Sequence, residues 1–216
     1  MNLVFLGPPG VGKGTQAATV AAALNLAHIS TGDLLRAAIA AGTKTGLEAR
    51  ASMDAGRLVP DEVVNRLVRE RLQEKDAAGG ALFDGYPRTP AQAQALDGIL
   101  RDLGRRVDRV LDFQAPDAVV VERIGGRRTC PRCSAAYHVT WAPSRRDGEC
   151  EKCGGKLEQR SDDRPETVKH RLEVYRRDTR GVSEHYRSSG TYVMIAADRE
   201  IAAVTADVLE QLKGLK

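Results

Sequence analysis

The chain has 216 residues, 42% hydrophobic and 29% charged, which suits one sizeable soluble core with small inserted lobes. With only 4% aromatics, that core is expected to be built from Ala, Val, Leu and Ile. No stretch resembles a membrane span, and the net charge of +4 includes no long Lys/Arg run or aromatic-interleaved basic stripe, which leaves membrane and nucleic-acid partners unexpected. The apolar run Leu3-Val4-Phe5-Leu6 predicts a first strand, too close to Met1 to leave room for a secretory leader, so the expected location is the cytosol. It feeds the loop Gly7-Pro8-Pro9-Gly10-Val11-Gly12-Lys13-Gly14-Thr15, after which Ala17, Val20, Ala21 and Leu24 recur at helical spacing. Strand, glycine loop and helix are the context in which G-x-x-x-x-G-K holds phosphate. The glycines let successive N–H groups converge on phosphate oxygens, the helix N-terminus adds partial positive charge, and Lys13 adds a full one.

Ala27-His28-Ile29 predicts a second strand, followed by Ser30 and Asp33 at capping-box spacing for a helix beginning at Leu34-Leu35. The stretch from Thr31 to Val59 is helical with interruptions at Gly42, Gly46 and Gly56, and reads as a small lobe outside the core. Pro60-Asp61-Glu62 opens a helix whose apolar face is Val63, Leu67, Val68 and Leu72, and Gly79-Gly80 ends that segment. Ala81-Leu82-Phe83, the third strand, delivers Asp84-Gly85-Tyr86-Pro87-Arg88 to the sheet edge that carries the glycine loop. Thr89 as N-cap and Pro90 at the first helical position start the next helix, with Gln92 placed to complete a capping box. Arg109–Phe113 is a fourth strand, with a helix over Asp117–Ile124. A charged helix from Pro165 to about Tyr186, a fifth strand over Tyr192–Ile195 and a helix over Ile201–Leu212 complete the chain. Five strands alternating with helices predict an α/β fold with a parallel, doubly wound sheet.

Between the helix at Ile124 and Pro165 the periodicity breaks. Two C-x-x-C pairs stand there, Cys130/Cys133 and Cys150/Cys153, separated by sixteen residues. In a cytosolic chain this spacing reads as a four-thiolate zinc site, with iron open on ligand type alone and disulfides as the alternative. Four protein ligands leave no open position, so the metal would be structural. From Arg123 to Arg171 there are twelve Lys or Arg against seven Asp or Glu, an excess that carries the whole net charge and suits a small polyanion such as a nucleotide.

The G-x-x-G-x-G-K-G-T loop, Ser30 to Arg36, Asp84 to Thr89, Gly126-Arg127-Arg128, Asp162-Asp163 and the Glu166-Thr167-Val168…Arg171-Leu172 run closely resemble adenylate kinase, in family order and from end to end. The likeness is to the long form of this nucleoside monophosphate kinase family. It implies Mg²⁺-dependent, reversible phosphoryl transfer from ATP to AMP giving two ADP, by a cytoplasmic monomer on a P-loop core. Residues 1–29, 60–125 and 164–216 would form that core, 30–59 the AMP-binding lobe and 126–163 a zinc-binding lid. The resemblance assigns ATP to Gly10, Val11, Gly12, Lys13, Gly14, Thr15, Arg123 and Arg127. AMP falls to Thr31, Arg36, Val59, Gly85, Arg88, Gln92, Arg160 and Arg171. Catalysis falls to Lys13, Arg88, Arg123, Arg160 and Arg171, and orientation of the Mg²⁺ waters to Asp33 and Asp84. Tyr86 stands where Phe is common. Trp141 matches a frequent aromatic near the ATP base, with a hydrophobic plug as its other reading.

These residue types suit the chemistry. An AMP phosphate is already an anionic nucleophile, so alignment and charge neutralisation matter more than a general base. Arginine stays charged and grips phosphate with a planar fork. The rivals are a pyrimidine-nucleotide kinase, an AMP kinase using GTP, and a nucleic-acid-binding zinc ribbon fused to a nucleotide switch. The last leaves the Arg36 and Arg88 motifs unexplained.

Overall fold

In the computed structural model, which describes residues 1–215, the sheet is assembled around the first strand. β1 (Asn2–Leu6) is buried along its length and lies between two parallel neighbours, which is why its sequence is continuously apolar. Its pleat still sorts the side chains: Val4 and Leu6 enter the core on one face of the sheet, Leu3 and Phe5 the core on the other. α1 (Lys13–Leu24) leaves the glycine loop and leads to β2 (Ala27–Ser30).

Ser30 is the N-cap of α2 (Thr31–Ala40), its hydroxyl accepting the Asp33 N–H at 3.3 Å. The helix therefore begins at Thr31, ahead of the expected Leu34. α3 (Lys44–Asp54) is capped by Thr43, whose hydroxyl accepts the Gly46 N–H at 3.1 Å. Gly42 and Gly56 end α2 and α3 with φ of +65° and +67°, but Gly46 lies inside α3 and interrupts nothing. Its role is close approach: a Cβ there would stand 2.2 Å from the Ala38 carbonyl oxygen of α2. Nor is the 30–59 segment separate from the core, since Leu35, Ala49 and Val59 are buried in the same cluster as Val4 and Leu6.

α4 (Asp61–Leu72), β3 (Ala81–Asp84), α5 (Pro90–Asp102), β4 (Arg109–Gln114) and α6 (Asp117–Gly125) follow. β5 (Arg127–Thr129) and β6 (Ala136–His138) then form a small antiparallel hairpin, extended by bridges from Thr129 to Glu158 and from His138 to Ala142. The expected helix after Pro165 is α7 (Pro165–Val174) and α8 (Arg180–Arg187), joined by a π-helical turn over Tyr175–Thr179. β7 (Tyr192–Ala196) and α9 (Ile201–Gln211) close the chain.

The main sheet has the order β2-β3-β1-β4-β7, every pair parallel. Neighbours of β1 on its two sides are reached in opposite directions, so a crevice opens at the carboxyl ends of β1, β3 and β4. Among the described residues, no helix is long and apolar enough to cross a membrane.

Candidate active site

The crevice is built from backbone first. Gly7 leaves β1 with φ +133°, and a Cβ there would stand 2.5 Å from the Phe113 carbonyl oxygen, so only glycine lets the loop turn against β4. Gly12, with φ +109°, is the N-cap of α1 and lays no side chain over the first N–H groups of that helix. They stay open to an anion. Lys13 folds back so that Nζ donates to the Gly7 and Pro8 carbonyls at 2.7 and 2.8 Å. Burial, with Arg88 and Arg171 nearby and Asp84 opposing, pushes its pKa down to about 7. A phosphate entering the loop would relieve that strain on the ammonium.

Asp84, at the end of β3, faces this lysine. Burial alone would raise its carboxyl, but His28, Lys13 and Arg88 together hold it below the usual range. His28 Nε2 stands 3.7 Å from Asp84 Oδ2, beyond hydrogen-bond distance. A Cβ at position 14 would meet the same Oδ2 at 3.3 Å, a tight approach that the glycine between Lys13 and Thr15 avoids.

On the other side of the crevice, the Gly85 carbonyl accepts from the Thr31 hydroxyl and from Arg88 Nε, both at 2.8 Å. Gln92, buried at N3 of α5, does not complete the expected capping box with Thr89. Its Oε1 accepts the Arg88 N–H and its Nε2 donates to Asp61 Oδ1, both at 2.7 Å. One N–H and one lone pair of that amide are left for a ligand.

Arginines close the circle from several elements. Arg36 pairs with Asp33 at 2.6 Å, and Arg160 reaches the same oxygen at 3.7 Å. Arg171 meets Asp162 at 2.9 Å and Asp163 at 3.2 Å, while Arg127 Nε donates to Asp163 at 2.8 Å. Burial first, then Arg171, pushes Arg88 down to about 10; burial first, then Arg127 and Arg36, does the same to Arg160. Both stay charged at neutral pH, crowded by like charges. Every residue that the resemblance assigns to ATP, AMP or Mg²⁺ lines one cavity of about 1320 Å³. That exceeds the roughly 300–1,000 Å³ of a single small-molecule site and leaves room for two nucleotides.

A family model described as adenylate kinase matches residues 5–191. The chain belongs to the adenylate kinase family. An adenylate kinase of Streptomyces griseus is 51% identical over 215 residues, 99% of this chain and 98% of that one. Adenylate kinases of Archaeoglobus fulgidus and of a Geobacillus species are 47% and 48% identical over 216 residues, the whole of each chain. The kinship thus reaches α9, beyond the end of the family model.

Around this cavity the structure adds partners for the foreseen Arg123 and Trp141, and it adds Gln16, Tyr175 and Thr179, which were not foreseen. Arg123 Nη1 donates to Val11 O at 3.0 Å and Ala197 O at 2.6 Å, and its guanidinium lies 5.7 Å from the Trp141 ring centroid. Trp141 stacks on His138 with centroids 4.3 Å apart and is 46% exposed, so it is no hydrophobic plug. Gln16, buried in α1, donates to Ile201 O at 3.0 Å and accepts from Thr205 at 2.8 Å, tying the glycine-loop helix to α9. Tyr175 and Thr179, on the π-turn, also face the cavity. A buried glutamine on an otherwise apolar helix face was the one sequence signal available among these.

The cysteines form the second constellation. The sulfurs of all four lie within 4.8 Å of one another, with closest separations of 3.4 and 3.5 Å. These distances are far beyond a disulfide, and the four thiols are free. They match the edges of a tetrahedron around zinc, about 3.8 Å for Zn–S bonds of about 2.3 Å. The two knuckles repeat one hydrogen-bond pattern: Cys130 N donates to Ala135 O and Ser134 N to Cys130 O, as Cys150 N does to Gly155 O and Gly154 N to Cys150 O. Ser134 and Gly154, at equivalent places, take left-handed φ of +58° and +69°. The donor set fits zinc.

Proposed function

We propose that the chain catalyses reversible transfer of the ATP γ-phosphoryl group to AMP, giving two ADP, and so balances the adenine nucleotides. The observation that carries this reading is the ring of six arginines and Lys13 around one two-nucleotide cavity, with a phosphate loop on one side and the Thr31–Gly85–Gln92 surface on the other. ATP would lay its phosphates on the N–H groups of residues 10–15 and on Lys13, with its base toward Arg123 and Trp141. AMP would place its phosphate between Arg36 and Arg88. Both phosphates carry negative charge, so bringing them together is the barrier that the protein must lower. Arg123, Arg127, Arg160 and Arg171 neutralise that repulsion and the charge on the transferring group without reorganising. Mg²⁺ accompanying ATP would screen its phosphate oxygens, and Asp84 with Asp33 would orient its water ligands.

Residues 30–59 act as the AMP lobe and 126–163 as a lid closing over ATP, on a core formed by the rest. The lid metal is a structural zinc. A cytosolic monomer is the working form; four thiols kept as a metal set suit a reducing compartment. The test is ADP formation from Mg-ATP with AMP, UMP, CMP and GMP offered in turn, beside filter binding of RNA and DNA. AMP should be preferred and neither nucleic acid retained. Arg88→Lys should lower kcat/KM for AMP on the order of 10²-fold, because an ammonium cannot reproduce two parallel bonds to phosphate. A pyrimidine preference, or unchanged AMP kinetics in that variant, would overturn the assignment.

A further inference from the structure

Strand β6 separates two jobs by parity. His138 stacks on Trp141, whereas the hydroxyl of its neighbour Tyr137 is directed at the cysteine cluster, as alternate residues of a strand must diverge. Tyr137 Oη lies 3.5 Å from Cys150 Sγ and accepts the backbone N–H of Glu151 at 2.9 Å. The second bond orients the first. With one lone pair taken by a backbone donor, the hydroxyl proton is the group left to point at sulfur, and a metal-bound thiolate is an acceptor only. The other sulfurs differ: among the described residues, Cys150 alone has a side-chain hydroxyl within reach.

We propose that Tyr137 is a positioning residue of the metal centre, its hydroxyl donating to the metal-bound Cys150 thiolate and slowing loss of that ligand. Four thiolates around a divalent ion leave two units of negative charge in a small lobe. A donor at sulfur spreads part of that charge and fixes the direction in which the sulfur lone pair meets the ion. Tyr137 also crosses between knuckles: it belongs to the hairpin of Cys130 and Cys133, yet both its polar contacts are to Cys150 and Glu151. Opening the second knuckle therefore requires breaking its hold. The proposal rests on the zinc reading above.

The test uses whole purified protein, wild type and Tyr137→Phe, which keeps the ring and removes only the hydroxyl. Zinc content is measured first, then the rate of zinc transfer to a chromophoric chelator. The sulfur-to-cobalt charge-transfer band is then recorded after replacement of zinc by Co²⁺. Both proteins should hold equimolar zinc, with release from Tyr137→Phe faster by about 10–100-fold. The cobalt band should move to lower energy, since a thiolate without its donor gives up charge more readily; loss of ring packing alone would not move it. Equal release rates and an unmoved band, with wild type fully loaded, would remove Tyr137 from the metal centre and leave the zinc assignment standing. Wild-type protein without metal would overturn both.

Discussion

Around β1 the molecule is dry, with Leu3, Val4, Phe5, Leu82, Phe83, Leu111 and Phe113 all at 0% exposure. Between residues 126 and 163 the buried positions are only Gly126, Thr129, Cys130, Cys150 and Asp163, while Val139 and Trp141 are 53% and 46% exposed. At about 25 cal/mol per Å² of apolar surface, the sheet can hold the glycine loop and a buried ammonium in place. The cysteine segment has little such surface, and its order comes from knuckle hydrogen bonds, the Asp163 ion pairs and the thiol cluster. If 126–163 closes over ATP as proposed, the division would match the work of each region: what stays is anchored in apolar core, and what travels is held by a few strong, local bonds.

Lys13→Ala strikes the rigid side and should have the largest effect. ADP formation should fall by on the order of 10³-fold or more, while the core should unfold near the wild-type temperature, since no residue of its apolar clusters is altered. Near wild-type turnover would break the comparison at its strongest point.

Cys150→Ser strikes the other side. Metal content should drop from equimolar to near zero, withdrawing a binding contribution of order 10 kcal/mol from the folding of the 126–163 segment alone. The core transition should persist in calorimetry, and activity should survive in part in the cold. Complete loss of cold activity in a folded, metal-free variant would mean that the metal does more than hold structure.

A smaller effect is a pH signature of the buried ammonium. Lys13 has an unfolded pKa of 10.5 and a folded one of about 7. Between those values the unfolded chain binds a proton that the folded one lacks, so this residue makes stability rise with pH from 7 to 10.5. Melting temperatures across that range, compared with Lys13→Met, should show the slope in wild type only. ATP should also draw up to about one proton from solution near pH 8, read as a buffer-dependent heat of binding.

The smallest effect is optical. ATP should shift Trp141 emission, because Arg123 and His138 hold that indole at the end of the cavity proposed for ATP, and AMP alone should do little. Equal responses to both nucleotides would show that the donor end is misplaced.

Much of this was legible beforehand where a residue type has one physical use. Gly7, Gly12 and Lys13 announced a phosphate loop, and paired C-x-x-C announced a metal set. Apolar runs at Leu3, Ala81 and Val110 announced buried parallel strands. Gly46 misled because glycine serves close helix approach as well as helix termination, and only the position of Ala38 distinguishes the two. The π-turn at Tyr175–Thr179 left no trace, since one extra residue in a charged helix barely disturbs its period. His138 and Tyr137 were hidden because a three-residue strand is too short to display alternation. The use of Gln92 by Arg88 and Asp61 depends on two segments meeting, which spacing within one segment does not encode.

The bonds from Arg123 to Ala197 and from Gln16 to Ile201 have a consequence for biosynthesis. β7 lies at one edge of the sheet and α9 follows it, so β1, β2, β3 and β4 can pair while both are still inside the ribosome. The glycine loop, which emerges well before them, then waits for these two elements before its helix is braced and its neighbouring arginine anchored. A nascent chain would thus reach its full grip on ATP only after β7 and α9 have left the ribosome.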